Sequence, residues 1–99
     1  MKVADIELEV IRRGHGHPIL LLHGLQHVDP RARFLDLLDQ HHEIIAPSHP
    51  GFGHSPRPAP FETVYDLVHL YLELLDQLPY DTVTLMGLSF GGWLAAEIV

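Results

Sequence analysis

A continuous apolar run near the start of the chain constrains the fold more than any other feature. Residues 18–25 read Pro-Ile-Leu-Leu-Leu-His-Gly-Leu, without the polar and apolar alternation of a strand that has one solvated face. A strand of this kind is buried on both faces, so its sheet needs a covering layer on each side. The run breaks at Gly24. The sequence therefore predicts an α/β fold in which helices flank a central sheet.

Further strands are predicted from apolar runs and from alternation. The alternating residues 6–12 predict a half-exposed strand, and the turn at residues 14–18 makes it an antiparallel start to the sheet. Short apolar runs predict buried strands at residues 19–22, 44–46 and 82–86.

Helices are predicted between these strands. Apolar spacing favours a helix over residues 30–40, with Asp29 as its cap. Residues 63–78 carry one apolar stripe at helical spacing and stop at Pro79. Residues 93–99 resemble a third helix, and Trp93 is predicted to be one of the residues of this helix that face the core. Strands and helices in this order predict right-handed crossovers and parallel strands.

Composition narrows the classes of function. The chain has 99 residues, 46% of them apolar, and no cysteine, which fits one modest core without disulfides. Six basic and thirteen acidic residues give a net charge of -7, which disfavours nucleic acid and anionic lipid as partners. No apolar stretch approaches the roughly 20 residues of a membrane helix. We expect a cytoplasmic protein with no nucleic-acid or membrane partner.

The residues Gly87-Leu88-Ser89-Phe90-Gly91-Gly92 form a G-x-S-x-G pattern between a predicted strand and a predicted helix. Flanking glycines allow the two arms to approach closely, and a sharp turn then exposes the serine hydroxyl. The first amides of the helix would face the carbonyl that this hydroxyl attacks. Ser89 is therefore the candidate nucleophile. Taken alone, the pattern more often marks a simple Gly/Ser turn that joins a buried strand to a helix.

Three segments together resemble the α/β-hydrolase family. They are the His23-Gly24 turn, the loop Pro50-Gly51-Phe52-Gly53-His54-Ser55 and the glycine-flanked serine, in that order. The resemblance covers the chain from about residue 6 to its end. It implies an oxyanion hole formed by the backbone amides of Leu25 and Phe90.

The same resemblance assigns supporting roles in the turns to His23, Gly24, Gly87 and Gly91, with His23 bracing its turn through hydrogen bonds. Many members of the family have an acidic residue where this chain has His49. We therefore expect the contact made by that carboxylate to be absent or replaced.

The acid and the base of the family's triad follow the serine along the chain. Here only ten residues follow Ser89, none of them histidine and only Glu97 acidic. We expect residues 1–99 to be the N-terminal part of a single hydrolase domain, and to be inactive alone because a serine without a base is a poor nucleophile. An uncovered strand at residues 82–86 would favour self-association.

Two classes of function stay open. The first is a serine hydrolase acting on a small-molecule ester or another carbonyl compound, which includes carbon–carbon bond hydrolases. Branches of the family whose turn carries a carboxylate nucleophile are disfavoured by the serine. The second class is a non-catalytic binding or partner-associating module on the same scaffold. No cofactor is implied.

The chain has nine histidines, but no spacing typical of metal ligands. We expect structural or exposed roles for them and no metal site. The neighbours His54 and Ser55 are not predicted to be a catalytic pair, because adjacent residues of an extended chain point to opposite sides.

Overall fold

A computed structural model describes residues 1–24, 28–53, 55–56 and 63–99. The strands are β1 (Lys2–Val3), β2 (Ile6–Glu7), β3 (Val10–Gly14), β4 (His17–Leu22), β5 (His42–Pro47) and β6 (Thr84–Gly87). The helices are α1 (Arg33–Leu38), α2 (Val64–Gln77) and α3 (Phe90–Ile98).

The main sheet has the strand order β3-β5-β4-β6. Strand β3 is antiparallel to β5, whereas β4 is parallel to both β5 and β6. This arrangement confirms the predicted α/β fold, with antiparallel pairing at the start and parallel strands after it.

Both faces of the sheet are covered, as the continuous apolar run of β4 predicts. Leu20 and Leu22 pack on one side with residues of α2 and α3, and Leu21 packs on the other side with Leu35 of α1. Neighbouring residues of a strand point to opposite faces, so a run of leucines enters both cores.

The predicted strand over residues 6–12 is wrong as a single element. Residues 2–7 form a small hairpin, in which Ala4 and Asp5 have positive φ at the turn between β1 and β2. The strand is interrupted between β2 and β3, at Glu9. The backbone N–H of Glu9 donates to Ser55 Oγ at 2.9 Å, and its C=O accepts from the Ser48 amide. A loop from a distant part of the sequence therefore takes the hydrogen bonds that a continuous strand would use.

Helix α1 is shorter than predicted, and Asp29 is not its cap. The Asp29 carboxylate accepts a hydrogen bond from the Arg31 amide at 2.9 Å, which makes a turn, and Ala32 is the N-cap residue. A short acidic side chain bonded to the backbone two residues on favours a turn over a helix.

Helix α2 agrees with its prediction. Thr63 caps it through a reciprocal capping box with Asp66, and the helix ends at Gln77, before Pro79. Helix α3 begins at Phe90, three residues earlier than predicted. Trp93 is not a core residue: it is 54% exposed and packs edge-on against Phe90, because α3 faces the core through Gly91, Leu94 and Ala95.

Within the described residues, the structure has no helix that is both long and apolar enough to span a membrane.

Candidate functional site

The topology of the sheet brings the ends of β4 and β6 together. The two strands are parallel neighbours, and Leu22 lies opposite Gly87. After β4 the chain goes to α1 on one face, and after β6 it enters α3, which packs with α2 on the other face. A crevice opens where connections leave neighbouring parallel strands in opposite directions, and ligands of α/β proteins bind at such points.

Ser89 lies at the corner between β6 and α3. Its backbone has φ 56° and ψ -117°, a conformation that residues with a Cβ rarely adopt. It is the N-cap residue of α3, yet its side chain makes no capping hydrogen bond, and the residue is exposed. The strained backbone therefore holds the hydroxyl away from the helix that it precedes.

Glycines allow the strand, the helix and the turn to approach one another. A Cβ on Gly87 would lie 2.3 Å from the Gly91 carbonyl oxygen, and one on Gly91 would lie 2.0 Å from the Leu22 carbonyl oxygen. These distances are far below van der Waals contact. Only glycine fits at either position without a shift of the backbone.

The turn at residues 23–24 lies directly against Ser89. A Cβ on Gly24 would be 3.0 Å from Ser89 Cβ and 3.6 Å from the amide nitrogen of Phe90. The Leu88 amide donates to the Leu22 carbonyl at 3.0 Å and joins the two strand ends. Gly24 and Phe90, two of the residues singled out from the sequence, are thus brought together. Leu25, predicted to supply the other amide, lies outside the described residues, as do His27 and His54.

Two buried imidazoles support this turn. The rings of His23 and His49 stack with centroids 3.7 Å apart, and the two residues are 1% and 2% exposed. The His49 amide donates to His23 Nε2 at 2.8 Å, and His49 Nε2 lies 2.8 Å from the His23 carbonyl oxygen. His23 Nδ1 in turn lies 2.9 Å from the carbonyl oxygen of Gly24.

Tyr71 completes the group from helix α2. Its hydroxyl lies 2.5 Å from His49 Nδ1, and Tyr71 is fully buried. Tyr71 is not among the site residues predicted from the sequence. Its position in the apolar stripe of α2 gave a signal, since a buried tyrosine hydroxyl normally has a hydrogen-bond partner.

These contacts fix the tautomers. His23 Nε2 accepts from an amide, so the proton of His23 is on Nδ1 and is donated to Gly24. His49 Nε2 faces a carbonyl, so it carries the proton, and His49 Nδ1 accepts from Tyr71. Both imidazoles are neutral in this arrangement.

The electrostatics of the site favour the same state. Burial is the main cause that lowers the pKa of His49 to about 4, and repulsion from His23 would lower it further only where His23 is itself protonated. Burial raises the pKa of the Tyr71 hydroxyl, which keeps that group protonated as a donor.

The loop after β5 is fixed by its own polar contacts. Ser55 Oγ donates to the Ser48 carbonyl at 2.7 Å and accepts from the Glu9 amide, while Ser48 Oγ donates to the Glu9 carboxylate at 2.8 Å. Ser55 is buried and its hydroxyl is used in these contacts. The serine of this loop therefore has a structural role.

Comparison with known proteins decides the family. Residues 17–99 match the alpha/beta hydrolase fold family. The chain belongs to this family. It is 33% identical over 87 residues to the uncharacterized hydrolase YcgS of Bacillus subtilis, an alignment that covers 86% of this chain and 30% of the relative. It is 35% identical over 91 residues to a haloalkane dehalogenase of Psychrobacter cryohalolentis, with 83% and 28% covered.

Solved structures agree on the architecture of this α/β-hydrolase chain. A meta-cleavage product hydrolase from Pseudomonas fluorescens IP01 matches with a TM-score of 0.83 and 27% identity, covering 97% of this chain and 37% of that one. The chain thus spans about a third of the length of the proteins that it matches.

Proposed function

We propose that residues 1–99 are the N-terminal part of a serine hydrolase in which Ser89 is the nucleophile. The observation that carries the proposal is the backbone of Ser89, whose φ of 56° sets a free hydroxyl at the corner between β6 and α3. In this role Ser89 attacks the carbonyl of an ester or a related small molecule, and the amides of Leu25 and Phe90 bind the oxyanion.

The base and its acidic partner belong, in this proposal, to polypeptide beyond Val99. A serine hydroxyl needs a base within hydrogen-bond reach, about 3 Å, at the moment of attack. Among the described residues, the neighbouring imidazoles of His23 and His49 are buried and bonded to the backbone and to each other. We therefore assign the two imidazoles a structural role in the turn and not the role of the base.

A carbon–carbon bond hydrolase is the second candidate. It is favoured by the match to the meta-cleavage product hydrolase, and it would use the same serine corner. The match to a haloalkane dehalogenase supports the family in general, but we do not extend that chemistry to this chain because a serine stands at the corner.

A fluorophosphonate probe tests the proposal when it is applied to the chain extended by the sequence that follows Val99 in its gene. Labelling at Ser89, abolished in Ser89→Ala, is the expected result. The 99-residue chain itself should hydrolyse an activated ester no faster than its Ser89→Ala variant. A folded extended protein that stays unlabelled would favour the alternative, a non-catalytic binding module on the same scaffold.

A further inference from the structure

We infer that Tyr71, acting through His49 and His23, is a positioning residue that fixes the turn at residues 23–24 beside Ser89. The catalytic meaning of this inference rests on the proposed function, whereas its structural content does not. Hydrogen bonds through the two histidines join Tyr71 of helix α2 to Gly24, which is 47 residues earlier in the sequence.

The contacts form one directed chain. The Tyr71 hydroxyl donates to His49 Nδ1, His49 Nε2–H donates to the His23 carbonyl, and His23 Nδ1–H donates to the Gly24 carbonyl. A fourth hydrogen bond, from the His49 amide to His23 Nε2, locks the two rings together. Each side chain is at most 2% exposed, so water does not compete for these partners.

The series of hydrogen bonds starts from a residue that is held firmly in place. Tyr71 lies in the middle of α2, a helix of 14 residues with a capping box at Thr63, and its ring is in the main core. The end point is the turn whose Gly24 packs against Ser89. Hydrogen bonds therefore join helix α2 to the turn at residues 23–24. In the proposed function, this turn must hold an oxyanion donor to within about 0.5 Å.

The chain of hydrogen bonds requires neutral imidazoles. A second proton on His23 would point Nε2–H at the N–H of His49, and one on His49 would remove the acceptor of the Tyr71 hydroxyl. Among the described residues, the titratable groups that face His49 are His23 from the end of β4 and Tyr71 from α2. Its other ring neighbours are Phe52 from the loop and Phe90 from α3, which carry no charge.

Nuclear magnetic resonance on the 99-residue chain tests the inference. Long-range proton–nitrogen spectra should show the Nδ1–H tautomer for His23 and the Nε2–H tautomer for His49 near neutral pH. The amide signals of Gly24 and Phe90 should move on acidification with the same midpoint as the His49 ring, because the turn follows the imidazole.

Tyr71→Phe removes only the hydroxyl. This donor stabilises neutral His49, so its loss should raise the midpoint of His49 by roughly half a pH unit and shift the Gly24 amide signal at neutral pH. Tyr65→Phe is the matched control, because Tyr65 is on the same helix but is 69% exposed. It should change neither signal.

The inference is overturned if His49 shows the Nδ1–H tautomer, if Gly24 and Phe90 do not follow its titration, or if Tyr71→Phe behaves like Tyr65→Phe. Should Tyr71→Phe fail to fold, the tautomers and titration of the unmodified chain still decide. None of these signals needs a reaction, so an unlabelled Ser89 would reject the proposed function without affecting this test.

Discussion

The backbone of Ser89 is strained, because a φ of 56° is a conformation that a residue with a Cβ rarely adopts. Among the described residues other than glycine, only Ala4 and Asp5 share a positive φ, and both are in a hairpin turn. A residue with a Cβ in such a conformation costs about 1–3 kcal/mol. In the proposed function, the need for a hydroxyl at this corner gives a reason for a serine at a position that glycine would occupy with less strain.

Ser89→Gly is therefore expected to stabilise the chain by about 1 kcal/mol, since glycine adopts positive φ without the steric penalty. Urea denaturation measures the change as a higher midpoint. Ser89→Ala is the control: it keeps the Cβ and removes only an exposed hydroxyl, so its stability should change by less than about 0.5 kcal/mol. A Ser89→Gly variant less stable than Ser89→Ala would contradict the role of backbone strain.

His49 makes stability depend on pH. Its pKa is about 4 in the folded chain and 6.5 at its ordinary value, so the unfolded chain binds more protons between these values. The stability that the chain owes to neutral, buried His49 is fully present above pH 6.5 and is lost as the pH falls towards 4. Between pH 7 and pH 5 this loss amounts to about 2 kcal/mol.

His49→Gln should remove that part of the acid sensitivity. The decrease in unfolding free energy from pH 7 to pH 5 should be about 2 kcal/mol smaller in this variant than in the unmodified chain. His69→Gln, on the exposed side of α2, provides the comparison and should leave the decrease unchanged. Equal decreases in both variants would show that His49 is not held neutral by its surroundings.

At the scale of elements, helix α3 can lie against the sheet only because Gly91 has no side chain. A Cβ there would lie 2.0 Å from the Leu22 carbonyl oxygen, a backbone atom of β4 that cannot rotate away. The neighbouring Gly92 is different, since a Cβ there would lie 3.6 Å from the Gly87 carbonyl oxygen. That is an ordinary contact distance.

Gly91→Ala should thus destabilise the chain by about 2 kcal/mol or more, because α3 must move away from β4. Gly92→Ala should be neutral or stabilise it by up to about 1 kcal/mol, since alanine favours helix over glycine. Circular dichroism during urea denaturation measures both variants. Similar losses in the two would mean that helix propensity or chain flexibility, and not the close approach at Gly91, governs this element.

Elements set by local sequence were predictable, and those set by distant partners were not. The two-sided burial of β4 follows from its run of leucines, and α2 follows from its apolar stripe and Pro79. The interruption of the strand at Glu9 depends on a hydrogen bond to Ser55, which is 46 residues away in the sequence. The group of His23, His49 and Tyr71 joins three separate segments, and no local pattern specifies which partner a buried imidazole meets.

At the scale of the whole molecule, strand β6 is an edge, since within the described parts of the chain it pairs with β4 alone. Beside it, an open groove of about 360 Å³ runs between α2 and α3. Its apolar lining comes from Leu72, Leu75, Val83, Leu85, Ile98 and Val99, and the rest of its lining is polar, from Asp76, Tyr80 and Asp81. Apolar side chains next to an unpaired strand edge favour association between copies of a chain.

We expect the 99-residue chain to self-associate through this surface, and Leu72→Lys to weaken that association about tenfold or more by placing a charge on it. Leu37→Lys on α1 is the matched control: it makes the same change in charge at an exposed leucine outside the groove. Sedimentation velocity over a range of concentrations measures both. A chain that stays monomeric throughout, or equal effects of the two lysines, would show that the groove and the β6 edge do not direct the association.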